Sequence, residues 1–143
     1  MIRFLNEMTD MPDINKVELS NWIRQVASTY EKTVGEIGYL FCDDEKILEV
    51  NRTYLRHDYY TDIITFDYST GSVVSGDIYI SVDTVATNAL HYKVSFKHEL
   101  HRVIIHGLLH LCGFDDTTPE LRKRMTELED EALRLLATSR STR

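Results

Sequence analysis

The sequence predicts an α/β (α+β) fold, a small mixed four-stranded sheet packed with about five helices. Three observations lead there. Apolar residues recur in short strand-like runs and longer helical ones, in the order β-α-β-α-β-β-α-α-α. The composition, 43% hydrophobic and 27% charged, is that of an ordinary folded soluble chain. A chain of about 150 residues buries roughly 70% of its unfolded surface, enough for a core without disulfides.

Each element has its own signal. Ile2 to Leu5 reads as a short strand. Pro12 and Asp13 open a helix in which Leu19, Trp22, Ile23, Val26 and Tyr30 fall on one face. Glu36–Cys42 lies between Gly35 and the Asp43-Asp44 pair and reads as a buried strand. Asp43 or Asp44 then caps a helix that buries Ile47, Leu48, Asn51 and Leu55. Strands are expected at Asp62–Tyr68 and Asp77–Val82, joined by the Ser- and Gly-rich segment Ser69–Gly76. Asp83 can cap a helix ending near Tyr92. A longer helix runs from about Phe96 to Cys112 and stops at Gly113. Thr118 and Pro119 start the last helix, whose buried stripe is Leu121, Met125, Leu128, Ala132 and Leu135. Residues 1–138 are expected to form a single domain, with 139–143 a frayed tail.

Charge and cysteine usage narrow the function. The formal net charge is -7, which argues against coating nucleic acid by bulk charge. Residues 1–51 hold ten acids and five bases, whereas residues 52–110 are nearly neutral and carry all six histidines. That distribution points to a local site in the middle of the chain. No apolar run approaches the roughly 18 residues of a membrane span, and the acidic start lacks the plan of a secretion signal. Cys42 and Cys112 form no CxxC pair, so a reducing cytoplasm is the expected location.

The helix from Phe96 carries the chemistry. At roughly 100° per residue, with Arg102 at the origin, His106 falls near 40°, Glu99 near 60° and His110 near 80°. Apolar residues fill most of the remaining circumference, so this is a core helix with one polar stripe. A buried polar stripe must be satisfied by partners or by a ligand. Two histidines at i and i+4 can reach one cation. Gly113 then turns the chain back and delivers Asp115 and Asp116, either of which completes H-x3-H followed by a carboxylate. Two nitrogens, one carboxylate and an open position are the form of a catalytic zinc site. A zinc protease would need a glutamate directly after the first histidine, and that position is Gly107. The same ligand set suits non-haem iron oxygenases, but nothing else in the chain suggests an organic cosubstrate. Arg102 is expected to pair with Glu99 at i-3. His57, His91, His98 and His101 read as surface or packing residues, His101 with the alternative of touching substrate.

The run HGLLHLCGFD (106–115) resembles the signature H-G-x-L-H-L-x-G-[YF]-D-H of the YbeY family of metal-dependent endoribonucleases. LEVNRTYLRHDYYTDIITF (48–66) and GDIYIS (76–81) are similar to two further segments of that family. The resemblance implies hydrolysis of single-stranded RNA, including maturation of the 16S rRNA 3′ end, and a role in ribosome quality control. It implies the small ribosomal subunit and its assembly proteins as partners, with neither DNA nor a membrane. By position it makes His106, His110 and Asp116 the metal ligands, with Asp115 as a possible substitute for Asp116, and Arg56 the catalytic arginine. The family places a third histidine where this chain has Asp116, and a carboxylate is a harder ligand than imidazole. Zn2+ is the expected cofactor, one per chain, with Mn2+ or Ni2+ as alternatives. Two other functions compete: a non-enzymatic assembly factor stabilised by its metal, and a zinc metallopeptidase-like hydrolase.

Overall fold

The computed structural model describes residues 1–55 and 61–141. Among these lie four strands, β1 (Ile2–Asn6), β2 (Thr33–Cys42), β3 (Ile63–Asp67) and β4 (Val73–Ser81). They also include five α-helices, α1 (Lys16–Thr29), α2 (Asp44–Val50), α3 (Val82–Tyr92), α4 (Phe96–Leu111) and α5 (Pro119–Ser141). A π-helical turn at Asn51–Leu55 follows α2. Strand order is β1-β2-β4-β3; β1, β2 and β4 run parallel, and β3 is antiparallel to β4. The expected mixed sheet and helix complement are therefore present. Arg56 and His57 lie outside the described residues.

The period of two along each strand splits the sheet into unequal faces. Ile37, Tyr39 and Phe41 of β2 and Ile78 and Ile80 of β4 point into the main core, where α1, α4 and α5 supply Trp22, Ile104, Leu108 and Leu128. Tyr39 is fully buried there and donates its hydroxyl to the Ile104 carbonyl at 3.1 Å. A smaller cluster of Cys42, Ile47, Val50 and Ile64, flanked by Phe66 and Tyr79, brings α2 against the sheet. Both cysteines are free, and burial pushes their thiols up to about 12 for Cys42 and about 11 for Cys112. Neither is poised as a nucleophile or a thiolate ligand.

Several element boundaries differ from expectation, each for a local reason. Helix α1 starts at Lys16 rather than at Pro12-Asp13. Asn15 adopts the extended cap conformation, and its side chain accepts from the Glu18 amide at 3.0 Å. Strand β2 begins at Thr33, because Thr33 and Val34 pair with Val73 and Val74 ahead of an irregularity around Gly35. The same pairing draws Val73–Gly76, expected as connection, into β4. Ser81 rather than Asp83 caps α3, and the Asp83 carboxylate instead accepts from the Asp44 amide at the start of α2. Leu55 is exposed, since the π-turn rotates it off the face that buries Asn51. On α5 the stripe holds at Met125, Leu128 and Ala132, but Leu136 replaces Leu135 at its end and Leu121 is exposed. The helix itself continues to Ser141. Among the described residues no helix is long and apolar enough to cross a membrane.

Two glycines position α4. A Cβ on Gly107 would meet Ile78 and Ile63 side-chain carbons at 3.0–3.1 Å, so glycine lets the helix lie this close to the sheet without displacing them. Gly113 adopts a positive φ of 101° just beyond the helix. The Phe114 amide bonds to the Leu109 carbonyl at 3.1 Å and the Gly113 amide to that of His110 at 3.0 Å. This is a Schellman ending, and it reverses the chain. Phe114 then packs edge-on against Tyr30, with ring centroids 4.9 Å apart.

Candidate metal centre

The reversed chain brings Asp116 back over the last two turns of α4. His106 Nε2 lies 3.4 Å and His110 Nε2 3.5 Å from Asp116 Oδ2, and the two ring nitrogens are 2.9 Å apart. One donor atom from each of His106, His110 and Asp116 thus lies within 4.8 Å of the others. Asp115 is not one of these donors. Its Oδ1 accepts from the Asp116 amide at 2.7 Å and its Oδ2 from the Thr117 hydroxyl at 3.0 Å, so it holds the turn that presents its neighbour.

The outward nitrogen of His106 is occupied. His106 Nδ1 lies 2.6 Å from Glu129 Oε2; a carboxylate only accepts, so this nitrogen carries the proton. The Nε2 atoms of His106 and His110 face each other beside Asp116, and nitrogens 2.9 Å apart need a proton or a cation between them. The two pKa values diverge accordingly. Burial works against the His106 imidazolium, but the hydrogen bond and charge of Glu129, with help from Asp116 and Asp62, outweigh it and leave its pKa above 6.5. For His110, burial and the positive charge of His106 push the pKa below 6.5, against the pull of Asp116 and Asp115.

The donor set fits a small divalent ion. A tetrahedral centre with bonds of about 2.0–2.2 Å spaces its ligand atoms by about 3.3–3.6 Å. The two edges to Asp116 match that spacing, and the third, at 2.9 Å, is short of it by about half an ångström. Among the described residues the cluster offers three donors, and three protein donors leave a position open on a tetrahedral centre. The residue after His106 packs against the sheet as Gly107 and offers no base for peptide hydrolysis.

His106 and Asp116 stand at the wall of a cleft of about 560 Å³, which Asp62, Asn88, Tyr92 and Glu99 also line. Burial raises the pKa of Asp62, against the pull of His106, and that of Glu99, against the pull of Arg102. The expected Arg102–Glu99 pair is not the principal one. Arg102 instead spans to α5, where Nη1 meets Glu129 Oε1 at 2.8 Å and Nη2 meets Asp130 Oδ1 at 2.6 Å. Of the remaining histidines, His91 and His98 are exposed, while His101 is only 4% exposed and sits edge-on to Trp22. His101 packs and does not line the cleft. Glu129 and Asp62 were not singled out from the sequence. The only sequence trace of Glu129 is an acid on the buried side of α5, one helical turn from Met125 and three residues before Ala132.

Residues 4–137 match the family model described as Endoribonuclease YbeY. The chain belongs to the YbeY endoribonuclease family. A relative named Endoribonuclease YbeY from Phocaeicola vulgatus is 56% identical over 137 residues, 96% of this chain and 99% of the relative. One from Bacteroides thetaiotaomicron is 57% identical over 132 residues, 92% of this chain and 96% of the relative. One from Porphyromonas gingivalis is 50% identical over 135 residues, 94% and 89% of the two chains. The solution structure of a Thermotoga maritima protein superposes with a TM-score of 0.64 at 24% identity, covering 100% of this chain and 96% of that one, which supports the fold. As a YbeY-family member the chain is an endoribonuclease, a hydrolase acting on RNA. The peptidase and non-enzymatic readings are not favoured.

Proposed function

We propose that this YbeY-family chain is a metal-dependent endoribonuclease whose divalent cation is held by His106, His110 and Asp116. The observation that carries this reading is the convergence of three donor atoms, from His106, His110 and Asp116, on one point beside an open cleft. Zn2+ suits two imidazoles and a carboxylate best, and the carboxylate in place of a third imidazole also admits Mn2+ or Ni2+. A bound cation there supplies Lewis acidity toward a phosphoryl oxygen and lowers the pKa of a bound water. The protein residues do the rest. Asp116 contributes the negative charge that favours a cation over a second proton on the histidine pair. Asp62 and Glu99 make the cleft acidic, so it repels phosphate until the cation is bound. Arg56, matched to the family's arginine, binds the phosphate through its planar guanidinium.

The substrate we propose is single-stranded RNA, with 16S rRNA near its 3′ end as the natural target presented by the small ribosomal subunit in the cytoplasm. The net charge of -7 supports presentation by a partner over tight binding of free RNA. Residues 1–138 act as one domain in this proposal. Arg56→Ala tests the phosphate role: it retains one metal ion per chain and loses RNA turnover. Unchanged cleavage by that variant removes Arg56 from the mechanism.

A further inference from the structure

We infer that Glu129 is the positioning residue of the metal centre: held by Arg102, it fixes His106 as the Nδ1–H tautomer and so turns Nε2 toward the cation. This rests on the metal-site reading above and extends it to α5. Glu129 is only 7% exposed, and both its oxygens are committed. Oε1 accepts from Arg102 at 2.8 Å, and Oε2 accepts from His106 Nδ1 at 2.6 Å. A carboxylate that buried is retained at low cost only when it is paired and hydrogen-bonded on both sides. Arg102 is in turn anchored by Asp130 at 2.6 Å, so the guanidinium cannot swing away and leave Glu129 free to rotate. The chain Asp130–Arg102–Glu129–His106 thus crosses three times between α5 and α4. Its effect on chemistry is specific. A neutral imidazole has one bare nitrogen, and whichever nitrogen is engaged as a donor decides which one is left for a metal. The same chain uses up the charge of Arg102. Although Arg102 lines the cleft, it is a brace and not a phosphate ligand.

Three variants test this against a packing role. Glu129→Ala removes the acceptor, Glu129→Gln keeps a weaker neutral one in the same volume, and Leu136→Ala cuts the same helix in the core away from His106. Two readouts apply: Zn2+ affinity by competition with a chelator, and the His106 tautomer in metal-free protein from long-range proton–nitrogen-15 spectra. Zn2+ affinity is expected to fall about 10–100-fold in Glu129→Ala, less in Glu129→Gln, and to stay within about twofold in Leu136→Ala. Recorded above the His106 pKa, where the imidazole is neutral, the wild-type spectrum is expected to show Nδ1–H on His106, and that of Glu129→Ala a shift toward Nε2–H, with His110 unchanged. If Glu129→Ala does not fold, Glu129→Gln decides both readouts. An unchanged tautomer overturns the inference whatever the affinity, because affinity lost without a tautomer change is the mark of a packing defect. A tautomer shift with Zn2+ affinity within twofold of wild type overturns it as well. Failure of the wild-type chain to bind Zn2+ would sink the metal-site reading instead, and the metal-free spectra would still decide the role of Glu129.

Discussion

The two sides of α4 obey different rules. Toward the sheet, Ile104, Leu108 and Gly107 meet Tyr39, Ile63 and Ile78 in close packing, with the Tyr39 hydroxyl on the Ile104 backbone carbonyl. Toward the cleft, Glu99, Arg102, His106 and His110 line up over less than a quarter of the circumference, tied to α5 and to the turn after Gly113 by short polar contacts. The first side tolerates little change in volume. The second tolerates change in volume but not in the direction of a lone pair. One helix therefore holds the fold with one side and presents a cation site with the other, and substitutions on the two sides should separate cleanly into stability and metal affinity.

The sharpest separation should come from the ligands. His106→Ala and His110→Ala are expected to reduce bound metal from one per chain to none, and RNA cleavage to background, while the fold survives. Metal analysis beside a thermal melt checks this, and full retention of metal in either variant breaks the site assignment. Leu108→Ala, on the other side, should do the reverse. Truncating a fully buried leucine costs about 2–5 kcal/mol, read from urea unfolding, with Zn2+ affinity of the folded fraction kept. A metal-binding defect in that variant as large as in the histidine variants would erase the distinction between the two sides.

Acidity should act on the cleft side. Below its raised pKa, metal-free His106 carries a second proton, on the Nε2 that would face the cation. Binding must displace that proton. Zn2+ affinity should therefore fall by about tenfold per pH unit below the His106 pKa and level off above it. A flat affinity from pH 5 to 8, measured by chelator competition, would mean that the histidines are not the ligands.

Two smaller effects concern the turn that joins the sides. Gly113→Ala forces a side chain into a positive-φ position and should cost about 1 kcal/mol of stability, with a several-fold loss of Zn2+ affinity as Asp116 shifts. Asp115→Ala should cost less than about 1 kcal/mol and leave one metal ion per chain, because Asp115 bonds only to the turn. Loss of metal in Asp115→Ala would exchange the roles of the two aspartates.

What was legible in the sequence follows the same division. The core side of α4, its ending at Gly113 and the i, i+4 histidines are written in local spacing, and so was the polar stripe. The turn residues Asp115 and Asp116 could not be ranked without the family signature, because both follow the same glycine and only the backbone of the Schellman ending decides which side chain faces the histidines. Glu129 was invisible for a stronger reason. It lies 23 residues beyond His106 on another helix, where its period marks it only as an acid on a buried side. Arg102 was misassigned for the same cause: spacing offers the nearby Glu99, while the folded chain offers two carboxylates on α5 with better geometry. Local patterns report a helix's own neighbours, and the residues that brace a site usually come from elsewhere in the chain.

The central claim, that the three donors hold the cation on which RNA hydrolysis depends, is tested most directly by cleavage of single-stranded RNA after chelation. Wild-type chain and Asp116→Ala are compared as Zn2+ is restored. The account predicts that chelated wild type is inactive and recovers fully at about one Zn2+ per chain, whereas Asp116→Ala recovers only at far higher Zn2+ or not at all. Cleavage that persists through chelation, or an Asp116→Ala titration that overlays the wild type, would contradict it.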